Sequence, residues 1–215
     1  RFIELAYERL VDHPLNAKRR ERGKLPVTGV ITRGAGGWFG LDSMLDARGI
    51  RATLVSGCNT VGGLGRIFGM MTVNSASFTA GVDTDVRGKL EAACEALRHQ
   101  SLVYVHIKAP DLFSHDLQPE GKRAFLEKLD ALLPILEESG AAIAVAADHS
   151  TDSNTGSHTD DPVPTLFYVP TVRGSGEAPS NVEIVKFGES ACRSGNRPRR
   201  SGHEFLMEIV RYLDS

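Results

Sequence analysis

The chain has 215 residues, of which 41% are hydrophobic, 24% charged and 7% aromatic, with 25 Lys and Arg against 27 Asp and Glu and a formal net charge of −2. This apolar content argues against intrinsic disorder, and the length suits one large core or one core with an appendage. The charge argues against a dedicated nucleic-acid or polybasic membrane binder, because both work through excess positive charge.

The first segment places Phe2, Leu5, Ala6, Leu10 and Val11 at near-helical spacing up to about Leu15, followed by the basic run Lys18-Arg-Arg-Glu-Arg22. This stretch reads either as a solvated surface helix or as an edge that binds an anionic ligand. Apolar, β-rich runs at 27–32, 51–55, 102–107, 141–147, 165–169 and 182–187 predict strands, several of them covered on both faces. Helical faces alternate with them. Val86, Leu90, Ala93, Cys94 and Leu97 form one. Phe125, Leu129, Leu132 and Leu136 form another, starting near Pro119 and stopping near Gly140, and Phe205, Leu206, Ile209, Val210 and Leu213 form a terminal helix. The glycine clusters at 34–37 and 57–69 fit neither a P-loop nor a full dinucleotide fingerprint and are expected to be tight turns. The alternation predicts an α/β fold with a largely parallel sheet and helices on both faces, which binds ligands beyond the carboxyl ends of its strands.

No apolar run approaches the roughly 18 residues of a membrane span, and Arg1-Phe-Ile-Glu4 holds no signal-peptide core, so a soluble cytoplasmic protein is expected. Cys58, Cys94 and Cys192 are odd in number and scattered, which points to reduced, structural thiols. The sequence opens on Arg1 in a segment that already reads as mid-helix, as a piece of a longer protein would.

Chemistry-bearing residues gather just past two expected strands. Asp111-x-x-x-His115 follows the run at 102–107, Asp148-His149 follows the run at 141–147, and His158 comes within ten residues of that pair. Carboxylate oxygen and imidazole nitrogen ligate zinc and manganese, and the first spacing suits one ion if the loop enters a helical turn. Asp148 and His149 are adjacent, so their side chains diverge; they suit two neighbouring metals, or one metal and a supporting role. Each of the five alone is an ordinary turn or cap residue, whereas together they favour a metal site. A paired site fits phosphoryl transfer, yet no Ser or Thr stands in an obvious nucleophile context. The arginines at 193, 197, 199 and 200 read as a solvated loop.

The stretches Lys108-Ala-Pro-Asp-Leu-Phe-Ser-His-Asp116, Ala147-Asp-His-Ser-Thr151 and His158-Thr-Asp-Asp-Pro-Val-Pro164 resemble cofactor-independent phosphoglycerate mutases of the archaeal type, members of the alkaline-phosphatase superfamily. The likeness extends over His13-Pro-Leu-Asn16, Thr32-Arg-Gly-Ala-Gly36, Gly65-Arg-Ile-Phe-Gly-Met70 and Asp83-Thr-Asp85. It implies an alkaline-phosphatase-like core that lacks its N-terminal segment, with residues 1–24 the trailing end of an inserted substrate-binding domain and 25–215 the partial metal-binding core. It further implies two divalent ions, manganese first and zinc or cobalt as alternatives. Asp111, His115 and His158 would hold one ion, and Asp148 and His149 the other.

Arg19, Arg20, Arg33 and Arg48 would contact a small phosphorylated carboxylic acid, with no nucleic acid or membrane as partner and no oligomeric state specified. The implied reaction is the glycolytic interconversion of 3-phosphoglycerate and 2-phosphoglycerate through a phosphoserine. Its serine nucleophile is not in this sequence, so the chain alone would not complete it. The sequence departs from the family at Asp46-Ala-Arg-Gly49, where Glu-Lys-Tyr-Gly is usual, and at Gly62 and Leu112. These departures bear on the substrate: alternatives are a diverged phosphohydrolase or phosphotransferase acting on another phosphate or phosphonate, and a noncatalytic metal- and phosphate-binding homologue.

Overall fold

The computed structural model describes residues 1–32, 34, 36–37, 43–170, 187–195 and 197–214. Two compact units divide at Gly40 and Leu41.

In the first unit, α1 (Phe2–Leu10) and α2 (Pro14–Glu21) take the place of the single expected helix. The break has a local cause: Pro14 opens α2 with no amide proton to give, and the His13 Nδ1 caps it by accepting from Leu15 N–H at 3.2 Å. Buried Asn16 then acts as a latch. Its amide nitrogen donates to Leu10 O (2.7 Å) and Val27 O (2.8 Å), and its oxygen accepts from Val27 N–H (2.8 Å). The strand expected at 27–32 does not form. Val27 gives its amide and carbonyl to Asn16 rather than to a ladder, and Ile31 stays exposed.

The second unit runs α3 (Met44–Ala47), β1 (Ala52–Val55), α4 (Asn59–Ile67), β2 (Met71–Val73), α5 (Val86–Leu97), β3 (Leu102–Val105), α6 (Ala109–His115), α7 (Pro119–Asp130), α8 (Pro134–Glu137), β4 (Ile143–Val145), β5 (Ser150–Asp152), β6 (Ser157–Thr159), β7 (Leu166–Tyr168), α9 (Glu189–Cys192) and α10 (Gly202–Leu213). Among the described strands the parallel pairing is that of β2-β1-β3; β4 pairs antiparallel with β7, and β5 with β6.

Buried throughout, β1 is sandwiched as its apolar run requires. Ala52 joins Leu45, Ile50 and Val210 of α10, and Leu54 lies against Gly65 of α4. On the other face, Val55 packs with Phe78 and Ala93 of α5. Helices therefore cover both faces, as the α/β reading requires.

Three expectations are corrected in detail. The 57–69 glycine stretch is mostly helix α4 rather than a turn: a Cβ on Gly65 would lie 2.6 Å from Leu54 Cδ2, so the missing side chain lets the helix sit directly on the sheet. The helix expected up to Gly140 breaks into α7 and α8 at Pro134. The arginines read as a solvated loop are partly engaged, since Arg197 and Arg200 both pair with Glu208 of α10 and Arg197 also stacks over the Phe167 ring. Of the strand expected at 182–187, positions 182–186 lie outside the described residues, as does Ala35 of the 34–37 cluster. All three cysteines are free thiols.

Candidate metal centre

Strand β3 ends at Val105, and the next three residues carry the chain past the sheet edge into α6, where Pro110 sits in the first turn. Helical geometry puts residues four apart on one face, and Asp111 Oδ1 lies 3.4 Å from His115 Nε2. The β5–β6 hairpin supplies the third group, His158, directly across from Thr151 in the ladder. Its Nε2 is 3.2 Å from His115 Nε2. Ligand atoms of Asp111, His115 and His158 all fall within 4.8 Å of one another.

These distances match what a common ion needs. With bonds of about 2.0–2.1 Å, two ligand atoms on one metal lie about 2.9 Å apart at a right angle and about 3.3 Å apart at a tetrahedral one. The donor set also fits. His115 Nδ1 is 2.7 Å from Gly156 O, which can only accept, so Nδ1 carries the proton and Nε2 keeps its lone pair. Gly156 has φ 68°, and a Cβ there would stand 3.0 Å from His115 O, so a side chain would be strained and would crowd the approach of the hairpin turn to α6.

Asp111 is held at both oxygens. Lys108 Nζ donates to Oδ2 at 2.7 Å and Thr151 Oγ1 donates to Oδ1 at 3.0 Å. Burial works to raise its pKa, but the hydrogen bonds from Lys108 and Thr151, with the charges of Lys108 and His115, outweigh it and hold the carboxyl below its ordinary value. The hydrogen bond to Asp111 correspondingly raises Lys108, against a smaller opposing effect of burial.

His149, just beyond β4, extends the cluster. Its ring lies 3.8 Å from that of His158 at 33°, its Nδ1 is 3.2 Å from Thr151 Oγ1, and its Nε2 is 3.3 Å from Asp148 Oδ2. Asp148 is 86% exposed. The five residues expected as metal ligands thus form one continuous patch.

The expected substrate-binding arginines are placed differently. Arg19 and Arg20 belong to the Arg1–Gly40 unit, where Arg19 Nε donates to Leu25 O at 2.8 Å. With Leu15, Lys18, Arg22 and Lys24, Arg19 lines a basic hollow of about 410 Å³. Arg33 lies outside the described residues. Arg48 is not brought to the cluster. It caps α3 ahead of the amino end of β1, opposite the carboxyl edge, and its Nη1 pairs with Asp214 Oδ2 at 2.6 Å.

Beneath the cluster lies a polar group that motif reading passed over. Lys89 is fully buried in α5 and donates to Thr79 O (3.1 Å) and His106 O (3.2 Å), and His106 Nδ1 is 3.3 Å from Ser56 Oγ. Burial, then the charges of Lys89 and Lys108, depress the His106 pKa against an opposing pull from Asp148. Burial likewise lowers Lys89, despite the attraction of Asp85. A signal for Lys89 was present, because it occupies the buried stripe Val86-x-x-Lys89-Leu90-x-x-Ala93, where a charge is out of place.

The Metalloenzyme superfamily model matches residues 41–195. The chain belongs to that superfamily. Its α/β fold, with a parallel sheet between helices, is the alkaline-phosphatase-like one, and superfamily membership implies binding of divalent metal.

Among its relatives are archaeal cofactor-independent phosphoglycerate mutases. The chain is 35% identical over 208 residues to 2,3-bisphosphoglycerate-independent phosphoglycerate mutase 1 of Archaeoglobus fulgidus, covering 95% of this chain and 49% of that protein. It is 38% identical over 194 residues to the mutase of Ignicoccus hospitalis, covering 88% and 45%. A solved protein of Pyrococcus horikoshii superposes with a TM-score of 0.83 at 26% identity, over 99% of this chain and 55% of that one. The cofactor-independent phosphoglycerate mutase of Thermoplasma acidophilum shares the fold at a TM-score of 0.59 and 22% identity, over 99% and 50%. The chain spans about half the length of the curated relatives it matches. Among the described residues, no helix is long and apolar enough to cross a membrane.

Proposed function

We propose that the chain carries the metal-binding half of a cytoplasmic phosphotransferase that interconverts 3-phosphoglycerate and 2-phosphoglycerate. In this reading Asp111, His115 and His158 hold one divalent ion and Asp148 and His149 contribute to a second. Manganese is the first choice, with zinc or cobalt as alternatives. Residues 1–24 are read as the end of an inserted substrate-binding domain and 25–215 as a partial core. The observation that carries the proposal is the convergence of two imidazole Nε2 atoms and a carboxylate oxygen, 3.2 and 3.4 Å apart, at the carboxyl edge of a parallel sheet.

When bound, such ions acidify a hydroxyl nucleophile and neutralise charge on transferring phosphoryl oxygens. The protein's own contribution is to fix the donors beforehand. Lys108 and Thr151 hold the two oxygens of Asp111, and Gly156 O sets the tautomer and tilt of His115. Depressed by burial and two lysines, His106 stays neutral at pH 7 behind the site. The phosphoryl-accepting serine is proposed to come from residues outside this sequence.

Arg48 gives a second reading some weight. Its pairing with Asp214 engages a side chain expected to meet substrate, which favours a diverged phosphohydrolase or phosphotransferase acting on another small phosphate ester. The two readings separate when the whole gene product is assayed with manganese and each phosphoglycerate. Turnover in both directions supports the mutase, whereas no turnover with hydrolysis of other phosphate esters overturns it.

A further inference from the structure

We propose that Thr151 is the positioning residue that joins the two ion sites, its one hydroxyl orienting Asp111 for the first and seating the His149 ring for the second. The inference rests on the two-ion reading above and extends it to a residue that is not itself a ligand.

Thr151 is buried at the centre of β5, with Oγ1 3.0 Å from Asp111 Oδ1 and 3.2 Å from His149 Nδ1. A hydroxyl has one proton to donate and lone pairs to accept with. An ionised carboxylate only accepts, so the Thr151 proton goes to Asp111, and toward His149 the hydroxyl can offer only a lone pair. That contact sets which edge of the His149 ring faces Thr151 and leaves Nε2 3.3 Å from Asp148 Oδ2, on the side of the second expected ligand pair. The oxygen that Thr151 holds, Oδ1, is the one 3.4 Å from His115 Nε2 and so on the side of the first. One side chain thus presets a donor at each site.

Such supporting hydrogen bonds are worth about 10–100-fold in metal affinity. Thr151→Val keeps the branched shape and removes the hydroxyl, and Thr151→Ser keeps the hydroxyl and removes the methyl. The whole gene product, stripped of metal, is titrated with Mn2+ alone while free Mn2+ is followed by electron paramagnetic resonance. Thermal melts of the metal-free proteins report folding.

Wild type is expected to take up two ions. Thr151→Val should weaken both binding steps by about 10–100-fold, and Thr151→Ser should stay within about threefold of wild type. Uptake of fewer than two ions by wild type would sink the two-ion reading, while the contrast between Thr151→Val and Thr151→Ser at whichever ion still binds tests Thr151 separately. Unchanged affinity in Thr151→Val, weakening of one step alone, or loss in Thr151→Ser equal to that in Thr151→Val would each overturn the inference.

Discussion

Replacing Lys89 with methionine tests whether the floor of the site is built as described. The Lys89 ammonium spans two backbone carbonyls, Thr79 O at 3.1 Å and His106 O at 3.2 Å, and the second belongs to the residue after β3. Methionine fills nearly the same volume but donates nothing, so both carbonyls lose their partner. An orphaned buried acceptor costs about 1–3 kcal/mol, giving about 2–6 kcal/mol for two. Relief of the buried charge offsets part of this, which places the expected loss at about 2–4 kcal/mol. With a urea m-value of about 2–3 kcal/mol/M, the unfolding midpoint should fall by about 1 M, read by far-ultraviolet circular dichroism on metal-free protein. Because the charge of Lys89 also helps depress His106, the same variant should raise the His106 pKa, followed by NMR. A midpoint within about 0.2 M of wild type together with an unmoved His106 would refute the buried lysine bridge.

Three further outcomes are expected. His106 has a folded pKa below its ordinary 6.5, so on acidification the unfolded chain takes up this proton first; its contribution is intact above about pH 6.5 and is lost as pH falls toward the folded value. Metal-free wild type should therefore lose more stability between pH 7.5 and 5.5 than His106→Gln in parallel urea titrations, and equal losses would contradict the depressed pKa. A Cβ on Gly57 would come within 1.8 Å of Phe78 O, whereas one on Gly63 meets nothing within 4 Å. Gly57→Ala should thus lower the melting temperature by about 10 °C and Gly63→Ala, inside α4, should raise stability by about 0.5–1 kcal/mol. His158→Ala should weaken one ion by more than the roughly 100-fold upper range of supporting contacts, measured by metal analysis after dialysis, and full retention would remove His158 from the ligand set.

How much of this was legible in the sequence depends on how far each signal reaches along the chain. The buried run of β1, the stripe of α5 and the Asp111-x-x-x-His115 spacing are local periodicities, and the structure realises each of them. The strand expected at 27–32 failed because a β-rich pattern states a preference and cannot state a partner; Asn16, eleven residues upstream of Val27, claimed its backbone first. The turn expected over the 57–69 glycines failed because Gly65 serves close packing on Leu54, a reason invisible without the sheet. The ion pair of Arg48 could not be read from the sequence for the same cause at longer range, since its partner Asp214 stands 166 residues away. Thr151 carried no signal of its own, because its importance lies in which two side chains its hydroxyl reaches.

The centre is assembled from two kinds of placement, which explains why its members were visible while their arrangement was not. Helix spacing sets Asp111 against His115, and ladder register sets Thr151 against His158, each within a few residues of sequence. What joins the helix to the hairpin is a set of contacts about 40 residues apart: His115 to Gly156 O, Thr151 to Asp111 Oδ1, and Ser153 Oγ to Ser114 Oγ at 3.2 Å. Two of these end on proposed ligands, so the bonds that dock the hairpin also aim the donors. A carboxylate and an imidazole whose remaining hydrogen bonds are already made need little reordering to receive an ion, and the entropy of placing them is met by folding rather than by binding. Gly156 matters most at this junction. With φ at 68° and a Cβ only 3.0 Å from the His115 carbonyl, a side chain there would be strained and would crowd the segments that bring His115 and His158 within 3.2 Å.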